Sequence, residues 1–333
     1  MKTAVIGAGA IGGLVAGYLK LKGADVSLVA KPEVAKAIQQ GGLNISGVRG
    51  DINIKIEVAQ KLNSRPDLLI LATKTQDIEE ALKDNLGFAP AAILTTQNGV
   101  QADSIVAKYF PKENIISSIV MFGATYLEPA KLVHNFEGSW IIAKAFAAND
   151  EEVVRISGVL NQVFPTIVSE NIRGMKYLKI FVNANNCIPA ILGISMQEAF
   201  IDPGVSRISM GIWKEGLDSV NKAGIKLESL PDFPLERLTR LASLPIDEGA
   251  KIFSGIMQGL SKEPIYGSIL QSIKRGKVSE IVYINGEFIN LAEESGTSAP
   301  LNKKLVEMVH AVEKTRKFFS KEELINSTKG LFS

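Results

Sequence analysis

The sequence predicts an α/β chain, with an N-terminal Rossmann-type doubly wound sheet followed by an all-helical C-terminal domain. Three observations predict it. Through the first half, short apolar runs alternate with segments of helical period, as successive β-α-β units do. A glycine run, Gly7, Gly9 and Gly12, stands between the first such strand and the first helix. Beyond about residue 168 strand-like runs become scarce, helical periods dominate and prolines punctuate them. A length of 333 residues suits two domains, and the shift in pattern divides them at 1–168 and 169–333.

In chain order, Lys2–Ile6 reads as a short buried strand. GAGAIG follows, then a helical period over Ile11–Leu21 that Gly23 stops, then a second strand over Asp25–Ala30. Strand, G-x-G-x-x-G, helix and strand within about 30 residues is the context that makes this motif specific for a dinucleotide. Gly7 permits the tight turn, Gly9 leaves room for a pyrophosphate, and Gly12 lets the helix pack on the sheet. The helix N-terminus offers unpaired N–H groups and a positive dipole end to the phosphates. Gly7, Ala8, Gly9, Ala10, Ile11 and Gly12 are therefore the expected cofactor contacts. The second strand ends at Lys31, a cation where a ribose 2′-phosphate would sit, with Glu33 as the rival two residues on. This favours NADPH over NADH.

Leu68–Ala72 is a near-continuous apolar run, as a parallel strand covered on both faces should be. It ends at Thr73 and Lys74. A helix is expected over Ile78–Leu86, and Ala92–Thr96 is a further strand, ending in Gln97-Asn98-Gly99. Ligands of open α/β sheets bind beyond the carboxyl ends of the strands, which places Lys74 near the adenosine phosphate and Asn98 near nicotinamide and substrate. Asn-Gly is also an ordinary turn signal, so both readings of Asn98 stay open. Ile115–Val120 and Trp140–Ala143 read as later strands of the same domain. His134 between them reads as a structural or loop histidine.

The second half predicts helices over Ile172–Cys187, Gly204–Ala223, Glu248–Leu260, Ser279–Glu294 and Asn302–Lys317. A helical domain after a dinucleotide-binding one usually leaves its substrate in the cleft between them. In the first of these helices Met175, Leu178, Phe181, Val182 and Ala184 cover most of the circumference, yet Lys179, Asn183 and Cys187 form an i, i+4, i+8 stripe. Asparagine competes with the backbone for hydrogen bonds and is a poor interior helix residue. The stripe therefore marks either a functional face or one turned to water. Glu280 reads as a first-turn acid that complements a helix dipole, and Ser268 as an N-terminal helix serine.

Composition excludes several classes. A net charge of +2 without Lys/Arg runs gives no footprint for nucleic acid or an acidic membrane. The lone Cys187 precludes an intrachain disulfide, and with no run of about 18 apolar residues the chain reads as cytoplasmic. The apolar N-terminus mimics a signal peptide, but its glycines fall at functional spacing and it continues into a helix. No H-E-x-x-H and no Cys/His cluster suggests a metal.

Taken together, GAGAIG, the lysine after the third strand, QNG, the run Tyr177-x-Lys179-x-x-x-Asn183, and Ser268 twelve residues before Glu280-I-x-x-I-N-G resemble the ketopantoate reductase family along nearly the whole chain. The resemblance implies NADPH-dependent reduction of 2-dehydropantoate. Lys179 would be the catalytic lysine on the 2-oxo group and Glu280 the catalytic glutamate. Asn98, Asn183 and Ser268 would be substrate contacts, with Cys187 at a further substrate position. Lys31 and Lys74 would lie on the 2′-phosphate side of NADPH. Two positions depart from the family: Tyr177 where tryptophan is usual, and Cys187 where a second asparagine is expected. A thiol is a weak donor and acceptor, and Asn186 is offset by about 100° on a continuous helix. Reduction of a different 2-oxo acid, and a non-catalytic NADPH sensor, are the alternatives. The expected partner is a small molecule, and the apolar helical faces leave a homodimer open.

Overall fold

The computed structural model describes residues 1–261 and 263–332. The chain folds as two compact units, Met1–Arg173 and Gly174–Ser333.

Among the described residues, the main sheet of the first unit has eight strands. From one edge to the other they are Thr166–Val168, Trp140–Lys144, Ile115–Val120, Ala92–Thr95, Leu68–Leu71, Thr3–Ile6, Val26–Val29 and Glu57–Ala59. All neighbours are parallel except Trp140–Lys144 against Ile115–Val120. The chain starts in the middle, adds Val26–Val29 on one side and then crosses to add Leu68–Leu71 on the other. The order therefore reverses beside Thr3–Ile6, which is where open α/β sheets bind ligands. The central strands are fully buried in every residue, because helices cover both faces.

A second sheet of four strands was not legible in the sequence. Its order is Ile52–Ile54, Leu43–Gly47, Lys131–Phe136, Gly123–Glu128. It packs on the helix Ala10–Leu21. A Cβ at Gly13 would stand 2.6 Å from Leu132 Cδ1, and one at Gly17 2.6 Å from Ile45 Cδ1. His134 lies in this sheet, not in a loop. It is fully buried, its Nδ1 2.9 Å from the Tyr18 hydroxyl, with Phe164 edge-on beside it. Phe122 stacks on Phe164 and Arg49 lies over the Tyr18 ring, so His134 is structural.

Among its described residues the regular elements of the second unit are all helices, apart from one isolated bridge. Pro203–Lys222, Ile246–Gln258 and Pro300–Thr315 fall within two residues of their expected bounds. Asp202 caps the first by accepting from Gly204 N and Val205 N. Glu215 accepts from the Leu301 and Asn302 amides at 2.9 and 2.8 Å, capping Pro300–Thr315 from another helix.

Two expected helices are interrupted. Ile172–Cys187 divides into Ile172–Ala184 and Cys187–Leu192, separated by a turn at Asn185 and Asn186. Pro189 explains the break. A proline ring clashes with the carbonyl four residues earlier, here Asn185, and its missing N–H is harmless only in a first turn, where it sits in the second helix. Ser279–Glu294 divides into a 3-10 turn, Ile281–Tyr283, and the helix Asn285–Glu294. Ile284 between them has φ −120° and ψ −88°. Glu280 therefore precedes a 3-10 turn and does not open the helix.

Candidate active site

The N-terminal unit builds a cradle at the carboxyl ends of four adjacent strands. Gly7 donates its N–H to Val29 O at 3.0 Å and has φ +108°. A Cβ there would stand 2.8 Å from the Ala72 carbonyl carbon, so the turn runs against the end of the next strand. A Cβ on Gly12 would come within 1.9 Å of Gly7 O. Gly9 is different: a Cβ there meets nothing within 4 Å. It is the N-cap of Ala10–Leu21, and no side chain caps that helix. Open space before uncapped helix N–H groups suits a pyrophosphate, so these residues fit a dinucleotide. Ala8 is buried beneath the turn, while Ala10 and Ile11 open the helix and stay half-buried.

The flanking residues follow from the same edge. Lys31 is exposed at the N-cap of Pro32–Gly41, with Glu33 exposed in that helix's first turn. Lys74 is half-buried at the N-cap of the 3-10 turn Thr75–Asp77. Asn98 is half-buried after Ala92–Thr95, before Gly99 with φ +80°. Gln97 ties these loops together. Buried itself, it donates from Nε2 to both Leu71 O and Thr73 O at 2.9 Å. Its role was invisible in the sequence, where Gln97 was only part of a turn; its place at a strand end was the available signal.

In the C-terminal unit the helix Ile172–Ala184 buries Met175, Tyr177, Leu178, Ile180, Phe181 and Ala184. Lys179 and Asn183, one turn apart, both keep partial access. Burial lowers the Lys179 ammonium to about 8, and Asp232 acts in the opposite sense. A charge held on so apolar a helix is costly unless it is paired and hydrogen-bonded.

Cys187 is not on that face. The break at Asn185 and Asn186 removes the helical register that joined it to Asn183. Its side chain is fully buried, 3.8 Å from Asn285 Nδ2, which also donates to Asn302 Oδ1 at 3.0 Å. Burial pushes the thiol up to about 12, so it is no nucleophile at neutral pH. The same break frees Asn186 from the offset of a continuous helix. A Cβ on Gly267 would stand 3.0 Å from Asn186 Cγ, so this amide packs directly beside the segment that carries Ser268. Ser268 is exposed at the first position of Ser268–Lys274, with Gly267 as the N-cap. Glu280 is half-buried. Among the described residues no group of three or more His, Cys, Asp or Glu could hold a metal ion, and no helix is long and apolar enough to cross a membrane.

Comparison with known proteins gives a consistent result. Residues 3–145 match the family model described as ketopantoate reductase PanE/ApbA, and residues 171–313 match its C-terminal counterpart. The chain is 30% identical over 306 residues to a 2-dehydropantoate 2-reductase of Pyrococcus abyssi, covering 91% of this chain and 94% of that protein. It is 31% identical to the enzyme of the same name from Pyrococcus horikoshii, covering 94% and 98%. Among solved structures, D-mandelate dehydrogenase with NADH and anilino(oxo)acetate is similar with TM-score 0.82 at 24% identity, over 95% of this chain and 99% of that one. A PanE/ApbA family ketopantoate reductase from Ralstonia eutropha is similar with TM-score 0.80 at 21% identity, over 95% and 99%. At these identities the structures establish a shared fold.

Proposed function

The chain belongs to the ketopantoate reductase family, oxidoreductases that act on a CH–OH group, and from that premise we propose that it reduces 2-dehydropantoate to pantoate with NADPH. The single observation that carries the reading is Lys179, a cation kept on an almost wholly buried helix with its ammonium lowered to about 8. Reduction of a 2-oxo acid builds negative charge on the carbonyl oxygen. A preorganised ammonium stabilises that charge, and a pKa near the working pH lets it give up its proton.

The cofactor, when bound, supplies the hydride that reaches C2. The chain's own residues do the rest. The turn from Gly7 to Gly12 holds the pyrophosphate, and Lys31 and Lys74 hold the 2′-phosphate side. Lys179 Nζ hydrogen-bonds the 2-oxo oxygen and protonates it. Asn98, Asn183 and Ser268 bind the substrate, and Glu280 orients it. Lys31 supports NADPH over NADH, because it stands at the N-cap where an acid would otherwise meet the ribose 2′-hydroxyl.

A second reading has the same chemistry on another 2-oxo acid. It is favoured by Cys187, which withdraws from the Lys179 face where the family has an asparagine. The likeness to D-mandelate dehydrogenase points the same way. The test is NADPH oxidation, followed by loss of reduced-nicotinamide absorbance, with ketopantoate and a panel of 2-oxo acids, and NADH in parallel. Fastest turnover of ketopantoate with NADPH supports the first reading, and a faster rate on another acid selects the second. NADPH binding without turnover of any 2-oxo acid would leave a sensor. Lys31→Glu should move the cofactor preference toward NADH; an unchanged preference assigns the phosphate to Lys74.

A further inference from the structure

The chain on either side of Glu280 is held by one neighbouring helix, Pro300–Thr315, at points that no motif in the sequence marks. At the end of Ser268–Lys274, Arg316 Nη1 donates to Ile273 O at 2.8 Å, the oxygen that also accepts from Gly276 N at 2.9 Å. Residues 274–278 are then exposed. Ser279 is buried again, and its N–H donates to Glu313 Oε1 at 2.7 Å. Glu280 follows, its carbonyl accepting from Tyr283 N at 2.9 Å to open the 3-10 turn Ile281–Tyr283. Beyond that turn, buried Asn285 donates from Nδ2 to Asn302 Oδ1 at 3.0 Å. Arg316, Glu313 and Asn302 thus meet Ile273, Ser279 and Asn285 in reverse order, as a helix does when it runs against a passing chain.

Two features fit this end of the helix to the contact. Arg316 has φ +61°, a left-handed backbone that a non-glycine residue adopts at a cost. Glycine is the ordinary residue at such a helix end, and the side chain that stands in its place is the one on Ile273 O. Glu313 has a second partner, since His310 Nδ1 lies 2.9 Å from its Oε2 one turn back on the same helix. Burial would raise the Glu313 carboxyl, yet hydrogen bonds from Ser279 and His310 hold it below the ordinary carboxylate value. It is therefore an ionised acceptor for the Ser279 amide at neutral pH, and such bonds are the stronger kind. The far end of the helix is fixed too, by Glu215 on the Leu301 and Asn302 amides.

We propose that Glu313 is a positioning residue that acts through Glu280: its carboxylate pins the Ser279 amide, Arg316 pins Ile273 O before it, and together they fix the backbone that carries Glu280. The kinetic consequence rests on the reductase reading above, while the grip itself does not. Because residues 274–278 are exposed, Ser279 is where this loop is tied down before Glu280. Without Glu313 a buried N–H loses its acceptor, and the segment opens locally while the rest of the unit stays closed.

The first measurement is hydrogen–deuterium exchange in the full chain. Glu313→Ala should speed exchange over residues 275–281 by about tenfold, with Pro203–Lys222 and the N-terminal unit unchanged. Glu313→Gln keeps an acceptor oxygen and should restore most of the protection. Arg316→Gly suits the left-handed backbone, so it keeps the helix end and loses only the guanidinium; exchange over residues 273–278 should rise in it. The second measurement is kinetic. With ketopantoate, Glu313→Ala should raise KM for the acid and lower kcat/KM about tenfold, with KM for NADPH unchanged. In a Glu280→Gln background the same substitution should cost less than about twofold, because its effect passes through the Glu280 carboxylate. Unmoved exchange in folded Glu313→Ala, or in Arg316→Gly where Glu313→Ala does not fold, overturns the proposal. Equal kinetic cost in both backgrounds also overturns it, confining Glu313 to the fold. Faster exchange over residues 275–281 in Glu313→Ala, when the wild-type chain reduces no 2-oxo acid, upholds the grip and instead overturns the reductase reading.

Discussion

Gln97 donates its side-chain amide to the carbonyl oxygen of Thr73 at 2.9 Å. The same nitrogen reaches Leu71 O at 2.9 Å. One buried amide thus fixes the end of one strand, the loop that carries Lys74 and the loop that carries Asn98.

Gln97→Leu takes from Thr73 O its side-chain donor, while Leu71 O keeps the Thr96 amide and hydroxyl at 3.2 and 3.1 Å. Losing a buried partner costs about 1–3 kcal/mol, to be read as a lower urea midpoint. The loops beside it should loosen, weakening NADPH roughly tenfold, the equivalent of about 1.4 kcal/mol. A fluorescence titration checks this. Unchanged affinity with lowered stability would confine Gln97 to the fold.

The three motif glycines should separate into two kinds. Gly9 has an ordinary φ of −79° and open space around its missing Cβ. Gly9→Ala should therefore fold with wild-type thermal stability and lose NADPH affinity, since the methyl fills the cradle. Gly12→Ala would put a Cβ 1.9 Å from Gly7 O, so it should destabilise the fold itself by several kcal/mol. Calorimetry with and without NADPH distinguishes the two. Equal melting losses in both variants would mean that the space at Gly9 is structural.

Lys179→Met should abolish turnover and stabilise the protein. The folded-state pKa is about 8 against an ordinary 10.5. Below pH 8 both folded and unfolded chains carry the proton, and the folded one bears the cost of a buried charge. That cost is relieved as pH rises from 8 to 10.5, where only the unfolded chain stays protonated. Replacing the charge should therefore gain on the order of 2 kcal/mol at pH 7, with the gain shrinking at alkaline pH. Denaturant unfolding at pH 7 and pH 10 tests the sign.

His134 gives an acid-side counterpart. Burial lowers its pKa below 6.5, and its Nε2 has no hydrogen-bond partner among the described residues. As pH falls below the unfolded value the unfolded chain takes up a proton that the folded chain refuses. Stability present above about pH 6.5 is lost on acidification. His134→Gln keeps a hydrogen-bonding group for Tyr18 and should flatten the difference in unfolding free energy between pH 7.5 and pH 5.5. An identical pH dependence in wild type and variant would assign the acid sensitivity to other groups.

Some of this was legible in the residues because it is local. The helix face with Lys179 and Asn183 rests on a four-residue spacing, and the structure keeps both residues accessible on an otherwise buried helix. Extending that stripe to Cys187 failed because Pro189 forbids a helical carbonyl at Asn185. That rule was available in the sequence, but Pro189 reads as a stop after the helix until the second helix is seen around it. Glu280 was misplaced for a related reason: periodicity ran through Ile284, where the backbone leaves the helical region.

The four-stranded sheet was missed on different grounds. Its strands are short, and Leu43–Gly47 pairs with Lys131–Phe136 from far along the chain. Alternation in Lys131–Phe136, where Leu132 and His134 are buried between more exposed neighbours, was the available signal, but alternation does not name a partner strand.

By itself the sequence determined the glycine turn between the first strand and its helix, and the helical nature of the second half. Each depends on neighbours within a few turns of chain, where sterics and periodicity decide. Tertiary structure alone decided which side chains meet: Gln97 on two strand ends, Asn186 beside Gly267, and Cys187 turned to Asn285. Such relationships depend on distance in space, and the energies that set them, burial of charge and pairing of buried amides, exist only once the chain has closed around them.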